Sequence, residues 1–259
     1  MQVYSVLDRL TARPDAAELA QAPHHLYGHV PPGTAYSTGA WLDEATQAIA
    51  GIRARGALPV VVGGTGLYFR ALTGGLSDMP VIPDAIRQDL RARLESEGVE
   101  ALHAELARLD PETAARLRPA DRQRILRALE VVVATGQSIT RFQGHGGEKV
   151  VDPLSARCIV IEPERPLLHA RINVRFARMV EEGAVEEVKS LISLNVPSQY
   201  PAMKAIGVSQ IAAYLAGRQS LDQAIELART ATRQYAKRQM TWFRNQLDES
   251  WERLQSKIE

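Results

Sequence analysis

Three groups of side chains in this 259-residue chain have the types and spacing to act on an anion. The first is the turn Gly63-Gly64-Thr65-Gly66, followed by Leu67-Tyr68. Glycines between a strand and a helix let backbone N–H groups approach an anion, and the helix N-terminus adds a favourable dipole. The same glycines serve any tight turn that needs positive φ, and spacing alone favours that simpler use. The second group is Arg116–Glu130, where Arg116, Arg118, Arg122, Arg124 and Arg127 face one acid, Asp121, before Glu130. A guanidinium donates two hydrogen bonds at once from a planar fork, which suits phosphate. On a helix Gln123, Arg124 and Arg127 share one side while Ile125, Leu126 and Leu129 point inward. That side can grip phosphates or simply be solvated. The third group is two helical stripes. Arg171, Arg175 and Arg178 fall at i, i+4, i+7, and Arg229, Arg233 and Lys237 at i, i+4, i+8, with Arg244 nearby. Two such stripes could hold a diphosphate or an RNA backbone between them, or pair in solvent with Glu181, Glu182 and Glu226.

Other chemistries find less support. His24-His25 has no Cys, Asp or Glu at ligand spacing, which argues against a metal site. Cys158 lies in a strand-like apolar run and reads as core. No nucleophile elbow is visible. The chain holds no GxxxxGK[ST], so it builds no full phosphate-binding P-loop, and no DDxxD-like acid cluster. A diphosphate site therefore has to rely on Arg, Lys and backbone donors.

The elements that must position these groups fall into an α/β pattern. Leu58–Val62 (LPVVV) is a continuous apolar run that predicts a strand buried on both faces of a parallel sheet. Strand, glycine turn and helix form the unit of a doubly wound domain. Trp41, Leu42, Ala45, Ile49 and Ile52 predict a helix over 40–56 that stops at Gly56. Residues 80–148 are Arg-rich and strand-poor and predict four helices, an insertion between core segments 1–79 and 149–259. GHGGEK (144–149) reads as a flexible return and CIVIEP (158–163) as a strand. Residues 166–194 predict a long helix broken near Gly183, and 221–245 the last one. The net charge of +1 leaves any nucleic-acid surface to local clustering of the 31 Lys and Arg. The single cysteine fits a reducing compartment, and no apolar run approaches a membrane span. The expectation is a soluble, cytoplasmic protein.

Several segments together resemble bacterial tRNA dimethylallyltransferases. They are MQVY (1–4), LTARP (10–14), PHHLYG (23–28), AYSTGAW (35–41), LPVVVGGTGLYFRALTGGL (58–76), DRQRILRALEV (121–131), PAMKAIG (201–207) and TRQYAKRQMTWFR (232–244). They keep the family's order over nearly the whole chain. The resemblance implies a P-loop-NTPase-like parallel sheet flanked by helices, with a helical insertion that grips a tRNA anticodon stem-loop. It implies transfer of a dimethylallyl group from its diphosphate to N6 of adenosine 37, with Mg²⁺, by a monomer.

The same resemblance implies roles for particular residues. Arg175 matches a catalytic arginine that stabilises the departing diphosphate. Met1, Gln2, Thr65, Arg87, the stretch Gln123, Arg124, Ile125, Leu126 and Arg127, and the loop Lys204, Ala205, Ile206 and Gly207 match tRNA contacts. Arg233, Lys237 and Arg238 are candidate diphosphate ligands. The family's first strand, its P-loop with a Ser or Thr ligand to Mg²⁺, and an Asp-Ser pair should stand before Met1. The expectation is that the chain by itself has little or no transferase activity, with a non-catalytic RNA-binding module or a nucleotide-kinase-like enzyme as alternatives. Val208 departs from the aromatic common after Ala-Ile-Gly.

Overall fold

The computed structural model describes residues 1–143 and 147–255. The expected return at 144–149 falls partly outside them. Met1–Ala71 with Val151–Glu259 form one compact unit, and Leu72–Val150 a second. Among the described residues no helix is long and apolar enough to cross a membrane.

In the first unit the chain opens as a wound strap. Val3 C=O accepts from Val30 N–H and Val30 C=O from Ser5 N–H, at 2.8 and 2.9 Å, making one parallel bridge between Tyr4 and Val30. Helix α1 (Ala16–Gln21) starts at Asp15 with a reciprocal cap from Glu18. Helix α2 (Thr38–Ala54) starts at Ser37, whose hydroxyl accepts from Ala40 N–H. It buries Trp41, Ala45 and Ile49, and Gly56 follows it at φ +70°. Helix α3 (Gly66–Gly74) comes directly after the glycine turn, and its Tyr68 ring stacks on Trp41 at 4.0 Å and 13°. A stacked aromatic pair adds about 0.5–1.5 kcal/mol beyond its buried area.

The second unit is helical. Helices α4 (Asp84–Glu97), α5 (Val99–Leu109), α6 (Pro111–Arg116), α7 (Arg122–Thr135) and α8 (Ile139–Gln143) enclose one core. Leu90, Leu94, Leu102, Leu106, Ile125, Leu129 and Val131 are among the residues filling it. Buried Asp110 caps α6, accepting from Thr113 N–H at 3.1 Å and Thr113 Oγ1 at 2.6 Å. Burial alone would raise its pKa. The hydrogen bonds from Thr113, Ser138 and Ile139 outweigh that and lower it.

Back in the first unit, β1 (Ile159–Ile161) leads into α9 (Arg165–Met179). A kink at Val180–Ala184 follows, where Gly183 leaves helical geometry at φ +107°. Then come α10 (Val185–Ser193), a 3₁₀ turn at Pro201–Lys204, and α11 (Val208–Leu215). The 26-residue α12 (Leu221–Gln246) starts in a capping box between Ser220 and Gln223 and runs about 39 Å at 1.5 Å per residue. It packs against both α9 and α11, burying Ala224 and Ala228 completely. After it β2 (Glu252–Leu254) pairs parallel with β1, Val160 opposite Arg253.

The architecture is thus helix-rich α/β with a small parallel sheet, and one expected strand is different. Leu58–Val62 is irregular, with Leu58, Val60 and Val62 exposed by 85%, 76% and 78%. An apolar run predicts how a strand would be buried once paired. No strand among the described residues pairs with this one, and pairing is a non-local property that periodicity does not carry.

The glycine turn is also explained differently. None of Gly63, Gly64 and Gly66 has positive φ. Two of them are there because α12 comes so close. A Cβ on Gly66 would stand 2.2 Å from the Trp242 ring, and one on Gly64 2.1 Å from Gln239 Nε2. Gln239 Nε2 donates to Gly64 C=O at 2.8 Å, while the space around Gly63 is open.

Two outcomes follow from this packing. Asp110→Ala should destabilise the protein by about 1–2 kcal/mol, the usual worth of a helix cap, with the loss read by denaturant unfolding. Because the folded pKa of Asp110 is depressed, its contribution is present above the unfolded value. It disappears as pH falls through the folded value, so wild type and Asp110→Ala should converge in acid. Alanine at the turn should give a graded series: Gly63→Ala within about 0.5 kcal/mol, Gly64→Ala a modest loss absorbed by the flexible Gln239 tip, and Gly66→Ala about 1–3 kcal/mol, since a packed indole must move. Equal melting temperatures for all three would contradict the close-approach account.

Candidate active site

The first unit places the anion-binding candidates on two neighbouring helices and two loops. On α9, Ile172, Phe176 and Met179 are buried. Asn173 and Arg175 flank this stripe on opposite sides, about 160° apart at 100° per residue. Arg175 is exposed and has no acidic partner among the described residues. Surrounding protein lowers its pKa from the usual guanidinium range by desolvation, yet an arginine keeps its charge at any working pH. It is therefore a partly desolvated cation with its hydrogen-bonding fork uncommitted. Arg178, one turn on, is bound to Glu182 at 2.6 Å.

Arg233 on α12 is used differently from the sequence expectation. Its Nη1 donates to Asn173 Oδ1 at 2.9 Å, and its Nη2 to Glu226 Oε1 at 2.7 Å and Thr230 Oγ1 at 2.6 Å. The side chain is a bracket between α12 and the flank of α9 opposite Arg175. Lys237 and Arg238 are exposed and free of acid partners among the described residues, and Arg238 lies 5.7 Å from the centre of the Tyr235 ring. Together with Gln234, Thr241, Trp242, Asn245 and Gln246, all on one face of α12, they line a shallow, open depression. Trp242 is the same ring that seats on Gly66, so this cationic depression lies beside the turn that carries Thr65.

The loop at Leu10 meets the loop at Gly207, and the latter reaches α9 at Phe176. A Cβ on Gly207 would stand 2.6 Å from Leu10 Cδ2 and 3.4 Å from Phe176, with Gly207 at φ +100°. Lys204 is exposed, Ile206 half-buried, and Ala205 and Gly207 buried, so the Lys204–Gly207 segment presents mainly Lys204 to solvent. Met1 is half-exposed. Gln2 is tied on both sides, its Nε2 donating to Ala12 C=O and its own C=O accepting from Gly28 N–H.

In the helical unit, considered by itself, Gln123 and Arg124 are exposed and Leu126 and Arg127 half-buried. Ile125 is a correction to the contact stretch: it has no exposed surface and belongs to the core, because α7 turns that residue inward. Arg87 pairs loosely with Asp84 at 3.5 Å, and Arg124 with Asp121 at 3.6 Å. Exposed pairs of that kind contribute at most about 1 kcal/mol, so a phosphate can replace the acid at small cost. Arg91, one turn from Arg87, and Arg118 are exposed with no acid partner among the described residues. Periodicity from Arg87 would have indicated Arg91. Asn173 and Gln239 carry no charge, and no spacing rule marks them.

Among the described residues no three His, Cys, Asp or Glu are grouped to hold an ion.

This geometry has close relatives. The IPP transferase family model matches residues 2–246. The chain is 61% identical to the tRNA dimethylallyltransferase of Rhizobium leguminosarum bv. trifolii, covering 98% of this chain and 86% of the relative. It is 62% identical to that of Sinorhizobium medicae, covering 98% and 83%. Its fold is similar to the full-length tRNA isopentenylpyrophosphate transferase of Bacillus halodurans, with a TM-score of 0.66 at 35% identity over 98% of this chain and 78% of the other. A eukaryotic dimethylallyltransferase acting on tRNA gives 0.72 at 27% identity, over 94% and 61%. An uncommitted arginine on α9, a cationic depression beside a glycine turn and this extent of likeness lead to one conclusion: the chain belongs to the IPP transferase family.

Proposed function

We infer that this protein is a tRNA dimethylallyltransferase. It transfers a dimethylallyl group from dimethylallyl diphosphate to N6 of adenosine 37 in the anticodon loop of tRNA. The observation that carries the reading is Arg175, a partly desolvated cation with no acid partner among the described residues. In the reaction the N6 lone pair forms a bond to C1 of the dimethylallyl group. The C1–O bond breaks with its electron pair going to diphosphate, and the N6 proton leaves to solvent or a base. Negative charge grows on the departing oxygen, and a guanidinium fork placed there stabilises the transition state more than the ground state. Lys237 and Arg238, free in the depression beside the glycine turn, are the diphosphate's further partners. Arg233 acts one step back, holding α12 to α9 through Asn173.

Each unit contributes tRNA contacts of its own in this reading. Met1, Gln2, Thr65 and the loop at Lys204 lie on the adenosine side, and Arg87, Gln123, Arg124 and Arg127 of the helical insertion lie on the stem. The core is taken as P-loop-NTPase-like and the protein as a monomer.

The test is to incubate the protein with an anticodon stem-loop RNA and dimethylallyl diphosphate and to measure isopentenyladenosine. Arg175→Ala should lower kcat about 10²–10³-fold, the usual effect of removing one charge-stabilising donor, with the RNA KM within a few-fold. Arg175→Lys should recover only part, because an ammonium lacks the fork. Salt-dependent binding without product would match a chain with little or no activity of its own or an RNA-binding module, and robust product would exclude both. An unaltered kcat in Arg175→Ala would remove this arginine from the chemistry.

A further inference from the structure

We propose that Glu187 is a positioning residue for tRNA, acting as a built-in anion in a backbone nest that fixes the N-terminal strap. The proposal rests on the functional reading above. Glu187 lies in the first turn of α10, directly after the kink at Gly183. Its Oε2 accepts from the N–H groups of Asp8 at 2.8 Å and Arg9 at 2.5 Å, and its Oε1 from Leu10 N–H at 3.1 Å. Three successive amides converging on one carboxylate form the concave array that proteins use to bind free anions. Here the anion is a side chain of the same protein.

What the carboxylate holds decides its role. Leu10 touches the Gly207 turn that also faces Phe176, the neighbour of Arg175. Two residues further, Ala12 is wound to φ +49°, and its C=O receives the Gln2 side chain at 2.9 Å. Arg13 pairs with Asp8 at 3.3 Å, and its guanidinium fills the place a side chain would take at Gly28, whose N–H in turn holds Gln2 C=O. The strap therefore connects Gln2 and the Lys204–Gly207 loop, two of the adenosine-side contacts. Glu187 is the side chain that anchors it to α10. Neither diphosphate candidate, Arg175 or the Lys237–Arg238 pair, is hydrogen-bonded to the strap. Removing Glu187 should loosen RNA handling and spare the diphosphate site.

The experiment compares wild type, Glu187→Ala, Glu187→Gln and Glu187→Asp by three measurements. Amide exchange at residues 8–10 should speed up at least tenfold in Glu187→Ala while α12 keeps its protection. The Kd for stem-loop RNA should rise about tenfold in Glu187→Ala and less in Glu187→Asp, with dimethylallyl diphosphate binding within twofold of wild type. Formate or acetate, but not chloride at equal ionic strength, should enter the vacated nest of Glu187→Ala and restore both exchange protection and RNA affinity. Unchanged exchange at residues 8–10 would overturn the anchor. Faster exchange with unaltered RNA affinity, or parallel loss of both ligands with global unfolding, would overturn the positioning role. A wild-type chain that binds no stem-loop RNA would defeat the functional reading instead, and the exchange and formate data would still decide the nest.

Discussion

The close approach of helix α12 to a stretch of backbone without side chains is the constraint on which the first unit depends. At Gly64 and Gly66 there is no room for a Cβ, because Gln239 and Trp242 occupy it. The same helix reaches α9 through Arg233 and Asn173 and buries alanines at the helix crossing. One element therefore sets the relation between the glycine turn and the helix that carries Arg175. Small residues at the contacts are the reason it can, since packed interiors transmit displacements of a few tenths of an ångström.

Cations on the protein divide into those already used and those left available. Arg93, Arg178 and Arg233 are each held by carboxylates at hydrogen-bond distance, and they serve the fold. Arg175, Lys237 and Arg238 have none among the described residues, and Arg87 and Arg124 have only long, exposed pairs. Charge counting treats all of these alike, which is why a net charge near zero says little about where an anionic substrate is received. Partner geometry separates them.

Much of the helical architecture was legible in the sequence because it is local. The helices expected over 40–56 and 221–245, the stop at Gly56 and the break at Gly183 all lie close to where residue type and period indicate. The misread features are non-local. LPVVV has the composition of a buried strand, but burial needs a neighbour that composition does not supply. Gly66 was ascribed to backbone dihedrals, but it is required by an indole 176 positions away in the chain, at Trp242. The role of Arg175 came from likeness to a family, since its spacing with Arg171 and Arg178 equally suited a solvated stripe. Arg233 showed a cation at the right period and concealed its partner, Asn173, sixty residues upstream.

The anchoring of the strap by Glu187 also bears on how the protein is made. The three hydrogen bonds join residues 177 to 179 positions apart. Residues 8–10 leave the ribosome well before Glu187, and at roughly 5–20 residues per second the carboxylate they need follows on the order of ten seconds or more later. Until then their amides are satisfied by water, and closing so long a loop carries an entropy cost that grows only slowly with its length. The strap is thus among the last parts of the first unit to settle, and its seat on α10 forms only once Glu187 has been synthesised.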